Sequence, residues 1–185
     1  DLFRQPPPAG GKRTPAWDAI LMSFFLNEHR SGDDPAALWQ AVEPWARQIG
    51  PGGWLLIVDL AEAGFARGLE TVRQQLAASP AWTVLGPDRF EAAHPLAEHP
   101  GRWPHEVRLW RPPESVLKIH ATLQRSLDDL KFSALLLRPT DRRRRRASPD
   151  AGPWADSWRL MSPVAARKGT LIWHMVDASG RAIQA

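Results

Sequence analysis

Three histidines, His94, His99 and His105, fall within twelve residues, in company with Asp88, Glu91 and Glu98. Imidazole and carboxylate are ligands that suit zinc or iron, so this is the constellation in the chain that could hold a metal. Its spacing follows neither a helical nor a hairpin ligand pair, and solvated loop histidines would read the same way. A second stretch with chemical meaning is the five-arginine run Arg142, Arg143, Arg144, Arg145, Arg146. Each guanidinium there could displace counterions from a phosphate backbone, or the run could be a solvated charge cluster. A third is the apolar run from Asp18 to Leu26, which ends in the polar pair Asn27 and Glu28. In open α/β sheets ligands gather beyond the carboxyl ends of such strands.

Absences narrow the chemistry. The chain has no cysteine, which removes disulfides, thiolate metal sites and a cysteine nucleophile together. No Gly-x-Ser-x-Gly elbow or phosphate loop occurs. The 24 basic against 20 acidic side chains leave a formal charge of +4, which allows contact with nucleic acid without demanding it. Only four of the basic residues are lysine, a bias expected of a GC-rich genome, so arginine abundance by itself is not a functional signal. No apolar run is long enough to cross a bilayer as a helix, and no membrane partner is expected. Residue 1 is not methionine and the start shows no secretory pattern, so the chain is expected to be a piece of a longer protein.

Residues 5 to 16 carry too many prolines and glycines for a regular element and read as a lead-in. A buried strand from Asp18 follows. Asp34-Pro35 then supplies an N-cap and a first-turn proline for a helix carrying Leu38, Trp39, Val42, Trp45 and Ile49, stopped by Gly50-Pro51. Trp54 to Asp59 is a second continuous apolar strand. Residues 64 to 78 form a helix with Phe65, Leu69, Val72 and Leu76 on one face, and Arg67, Glu70 and Arg73 expected outside. Strand, helix, strand, helix predicts half of an open, mostly parallel α/β sheet. Beyond a short strand at 82–85, residues 86–105 form an irregular loop. Glu106 to Trp110 alternates as a strand. Pro112-Pro113 starts a helix with Val116, Leu117, His120, Leu123, Leu127 and Leu130 on one side. Phe132 to Arg138 is a further strand, compatible with an antiparallel addition at the sheet edge. Residues 139–153 read as an Arg-rich linker. Residues 154–185 read as a small β-rich extension, with a strand at 170–176 and turn residues at Asp177 to Gly180.

Several segments together resemble the methyltransferase-like family of small-ribosomal-subunit assembly proteins found in bacteria and mitochondria. They are Leu26-Asn27-Glu28, Gly52-Gly53-Trp-Leu-Leu-Ile-Val, the Gly86-Pro87 loop with His94-Pro95-Leu96 and Trp103-Pro104-His105, Phe132 to Arg138, and Trp158-Arg159 through Gly169. Their order covers nearly the whole chain. The resemblance implies an α/β fold, the C-terminal half of a class I Rossmann-like methyltransferase sheet over residues 1–138, followed by the small β extension. It implies S-adenosylmethionine as cofactor, with Ser23, Phe25, Leu26, Asn27 and Glu28 on one wall of the cleft. The family's glycine-rich first motif and its ribose-holding acidic residue would both lie upstream of residue 1, so this stretch alone is not expected to methylate a substrate, and no catalytic residue is assigned. The implied partners are the small ribosomal subunit and its RNA, met by Arg142 to Arg146, Arg167 and Lys168. The family's iron-sulfur cysteines fall at or near Asp88, His94, Pro104 and Met175. An iron-sulfur cluster is therefore not expected here, because the thiolates it needs are missing. Asp88, His94 and Met175 remain as candidate ligands for a different metal, as do His94, His99 and His105. A non-catalytic RNA- or ribosome-binding module derived from a methyltransferase is the alternative function. The Arg-rich composition points to a bacterial cytoplasm, with the mitochondrion as the other compartment such proteins occupy.

Overall fold

The computed structural model describes residues 17–28, 34–89, 93–97, 99–124, 129–140, 158–161, 165–177, 179 and 181–184. The described elements are, in chain order, β1 (Trp17–Ser23), α1 (Phe25–Glu28), α2 (Pro35–Ala46), β2 (Ile49–Leu60), α3 (Ala63–Ala77), β3 (Trp82–Gly86), β4 (Glu106–Leu109), α4 (Glu114–Leu123), β5 (Asp129–Pro139), β6 (Trp158–Leu160), β7 (Ala165–Arg167), β8 (Thr170–Ile172), β9 (His174–Asp177) and β10 (Ala182–Gln184).

The fold is α/β on a mixed sheet of order β1-β2-β5-β3. β1 and β2 are parallel, with Leu21 beside Leu56 and Met22 beside Ile57. β5 runs antiparallel to β2, placing Asp59 beside Ser133. β3 and β4 both pair with β5, at opposite ends of it: Trp82 to Gly86 lie along Leu136 to Pro139, and Glu106 to Leu109 along Asp129 to Phe132. The interval at Ser133 to Leu135 separates them, and the chain between β3 and β4 leaves the sheet there.

One face of the sheet makes the core. Met22, Leu55, Ile57, Val84, Leu135 and Leu137 bury against Leu38, Val42 and Ala46 of α2 and Phe65, Leu69, Val72 and Leu76 of α3. Strand alternation sends their neighbours to the opposite face, where Leu21 is 61% and Trp54 40% exposed. α2 begins as its sequence requires: Asp34 Oδ1 accepts the Ala36 amide at 2.9 Å, and Pro35 fills the first turn. The helix continues through Pro44.

Several expectations change. The sheet is mixed rather than mostly parallel, with β5 inside it rather than at its edge, and Ile49 opens β2 instead of closing α2. The first strand ends at Ser23 rather than Leu26, because Phe24 turns the backbone into the left-handed region (φ 53°) and residues 25–28 form a helical turn. Glu70 and Arg73 are buried, not outside, for reasons given below. The helix after Pro113 stops at a left-handed Gln124 and buries none of its residues; Leu117, Ile119 and Leu123 are exposed, and Leu130 belongs to β5. Periodic leucines there mark an amphipathic helix and a strand in succession, which spacing alone merges. The strand expected at 170–176 is divided at Trp173 into β8 and β9, which pair with different partners.

Beyond residue 157, β6, β9 and β10 form an antiparallel sheet, with the Asp177 hairpin closing β9 onto β10. β7 and β8 are a separate hairpin whose two turn residues, Lys168 (φ 44°) and Gly169 (φ 81°), are both left-handed. Such a turn matches the right-handed twist of the flanking strands.

Candidate functional site

At the carboxyl ends of β1 and β2 the organising group is Asp59, which is wholly buried. Its Oδ2 accepts the amides of Leu26 at 3.0 Å and Asn27 at 3.2 Å, and its Oδ1 accepts the amide of Leu60 at 2.8 Å. A buried carboxylate needs such donors to offset lost hydration. The result is that α1 is pinned to the tip of β2. Ser23 and Asn27 are exposed, Phe25 packs against the core, and Leu26 is buried within it at 1% exposure. The side chain of Glu28 lies outside the described residues. S-adenosylmethionine fits this end only in part. Ser23 and Asn27 offer an accessible polar rim, but Leu26 presents neither side chain nor a free amide, and Asp59 is already engaged by three N–H groups.

The charged groups come together elsewhere, at the split between β3 and β4. Glu70 and Arg73, three apart on α3, form a two-pronged ion pair with both contacts at 2.7 Å, and each side chain is 3% exposed. Glu70 also accepts from Gln74 Nε2 and from the backbone amide of His94, both at 3.0 Å. It thereby holds the loop of residues 86–105 onto α3, helped by Arg67, which donates to the carbonyl of His99 at 2.7 Å. Across the split, Arg159 of β6 reaches back to the sheet: its Nε lies 3.2 Å from Asp88 Oδ1, and its Nη2 donates to Glu106 Oε1. Arg108, largely exposed, adds a contact to Glu106 at 3.4 Å. A single arginine therefore ties the C-terminal strands to β4 and to the loop.

Burial sets the protonation of the cluster. It pushes the Asp88 carboxyl up to about 6, with Arg159 pulling the other way. Burial likewise lowers His94 to about 4, against the pull of Glu70. The Leu96 amide donates to His94 Nδ1 at 3.0 Å, so neutral His94 carries its proton on Nε2, 3.8 Å from Asp88 Oδ2. The cavity bounded by Asp88, Glu106 and Ser133 measures about 30 Å³, room for little more than a water.

The structure thus brings Asp88 and His94 together, but as members of an ion network. Met175 is not with them. Register places Arg159 opposite Val176 and Leu160 opposite Met175, so Met175 projects from the other face of the β6–β9 pair. His94, His99 and His105 do not converge as a set: His94 and His105 line one cavity, but His99 is exposed, its Nδ1 accepting the Gly101 amide, and His105 Nδ1 bonds to the Trp103 carbonyl. Among the described residues no three His, Cys, Asp or Glu side chains form a group able to hold a metal. Arg142 to Arg146 lie outside the described residues, as does the side chain of Arg167; Lys168 is exposed at its hairpin turn. Sequence reading missed Asp59, Glu70, Arg73, Glu106 and Arg159. The available signal was positional: Glu70 and Arg73 follow Leu69 and Val72 directly, at the margin of the apolar stripe, and sit at the i, i+3 spacing of a helical ion pair.

No family model matches the chain, and no curated protein shows significant similarity to it.

Proposed function

We propose that this chain is a methyltransferase-like factor acting in small ribosomal subunit assembly. The observation that carries the reading is the sheet: a parallel pair, β1 and β2, followed by an antiparallel β5 inserted between β2 and β3. That is the ending expected of a class I methyltransferase sheet. The exposed Leu21 and Trp54 on the face away from α2 and α3 add support, since strands of such sheets are apolar because both faces are covered. Ser23 and Asn27 would then border the cofactor cleft, and Arg142 to Arg146 with Arg167 and Lys168 would meet ribosomal RNA.

The engagement of Asp59 by backbone amides favours a second reading, a non-catalytic RNA- or ribosome-binding module built on the same fold. Calorimetry of the full-length gene product with S-adenosylmethionine separates the two. Stoichiometric binding supports the methyltransferase; absence of heat at millimolar cofactor supports the binding module. Both readings require RNA affinity that falls with salt. A titration against a small-subunit RNA fragment should give a log–log slope near −3.5 if five arginines each neutralise a phosphate at roughly 0.7 per contact. Salt-independent affinity would remove the role of the arginine run.

A further inference from the structure

A second cavity, about 390 Å³ in volume, opens beside the ion network, where the loop of residues 94–105 meets β4, β5 and the C-terminal strands. Its size falls within the roughly 300–1,000 Å³ of small-molecule sites. Three features of its lining point to one ligand chemistry. First, its polar groups among the described residues are Arg102, His105, Lys131, His94 and His174, and no carboxylate of a described residue lines it. Of the described carboxylates near it, Asp129 lies 3.8 Å from the half-exposed Lys131, and Asp88 and Glu106 behind the wall are engaged by Arg159, so the lining itself offers an anion the cations of Arg102 and Lys131. Second, Trp103 lines it with a fixed ring. The indole N–H donates to the Ala61 carbonyl at 2.7 Å, and the His105 imidazole lies 5.9 Å away, ring to ring. An aromatic side chain held in one orientation is a stacking surface for a flat ligand. Third, the remaining wall is apolar, with Leu96, Val107, Met161 and Ile172.

The imidazoles are not arranged for a metal. Nδ1 of His94 already accepts an amide and Nδ1 of His105 bonds a carbonyl, and among the described residues no metal-binding group forms. What remains is a basic rim around an aromatic and apolar floor.

We propose that this cavity binds a single nucleotide unit, its base against Trp103 and its phosphate toward Lys131 and Arg102. The unit is either a free mononucleotide or an unstacked residue of single-stranded RNA, since both present the same base and phosphate. This goes beyond the assembly-factor reading: the site is separate from the carboxyl ends of β1 and β2, and it involves neither the cofactor nor the arginine run.

The test is isothermal titration of the full chain with adenosine and uridine monophosphate, the parent nucleosides, inorganic phosphate and a short oligouridylate. Either the mononucleotides or the oligonucleotide should bind, with inorganic phosphate weaker by roughly tenfold, the contribution of one stacked base, and the nucleosides weaker for want of the phosphate contact to Lys131 and Arg102. Lys131→Glu, at an exposed position, and Trp103→Ala should each lower that affinity by roughly tenfold or more, while Trp103→Phe retains most of it and guards against a folding defect. Binding by mononucleotides assigns a free nucleotide; binding by the oligonucleotide alone assigns RNA. No binding by either overturns the proposal, as does binding that Lys131→Glu and Trp103→Ala leave unchanged, or phosphate binding as tight as the nucleotide's. A chain with Arg142 to Arg146 replaced by glutamine should lose salt-dependent RNA affinity yet keep mononucleotide binding, so failure of the assembly-factor reading is distinguishable.

Discussion

Asp88 and His94 face each other across 3.8 Å, and burial moves them in senses that oppose each other in stability. Asp88 is pushed up from 3.8 to about 6, so between those values the folded protein holds a proton that the unfolded chain has released. Stability from this group falls as pH rises through that window. His94 is lowered from 6.5 to about 4, so between those values the unfolded chain is protonated and the folded protein is not. Its contribution rises with pH and is lost as pH falls. Each is worth up to about 3 kcal/mol and the two largely offset. Urea midpoints measured from pH 4 to 7 should therefore be nearly flat in these terms for the parent protein. They should climb with pH in Asp88→Asn and decline with pH in His94→Gln; the same slope in both variants would contradict the assignment. The ion pair beneath them gives a sharper effect. Glu70→Ala removes the two-pronged carboxylate partner of the buried Arg73 guanidinium and should cost roughly 3–5 kcal/mol, whereas replacing both residues by leucine or methionine should cost far less. Burial of these charges was not legible in the sequence, because the partners come from four separate segments and charged residues at the edge of an apolar stripe normally stay in water.

At the scale of elements the apolar runs and the caps were legible: α2 and α3 lie within a residue or three of their expected bounds, and the second apolar run is the carboxyl-terminal half of β2. Their positions follow from local chemistry, the Asp34-Pro35 start and the helical spacing of core residues. What local chemistry could not give was the end of β1, which is decided by Asp59, some 32 residues on, drawing the amides of Leu26 and Asn27 into a turn. Asp59→Ala should release α1 and cost about 2 kcal/mol by leaving those amides without their acceptor, measurable by chemical denaturation; a neutral result would mean that α1 is held by packing alone. Gly53, within β2, also acquires a specific role. A Cβ on Gly53 would lie 2.8 Å from the carbonyl oxygens of both Trp17 and Asp18 and 2.7 Å from Ile49 Cγ2. Gly53→Ala should therefore push β1 away from β2 and destabilise by roughly 1–3 kcal/mol, as overpacking does. In α4, by contrast, Leu123→Ser should change stability by less than about 0.5 kcal/mol, because the side chain is exposed.

For the whole molecule, the α/β class was legible, because strand and helix periodicities alternate along the chain, but the strand order was not: the sheet is mixed rather than mostly parallel, and β5 runs antiparallel inside it rather than at its edge. Less legible was how the C-terminal strands meet the sheet. Arg159, contacting Asp88 and Glu106, makes that junction, and it encloses both the ion network and the larger cavity. Functional residues suggested by type alone were sorted by this junction. Asp88 and His94 were drawn into it, Met175 was turned to the far face, and His99 was left exposed with its ring on a backbone amide. The most direct test of the proposed role is a titration of the purified chain against isolated small and large ribosomal subunits at several salt concentrations. Saturable binding to the small subunit, weakening as salt rises and absent for the large subunit, is the expected result. Equal affinity for both subunits, or none for the small one, would contradict a role in small-subunit assembly.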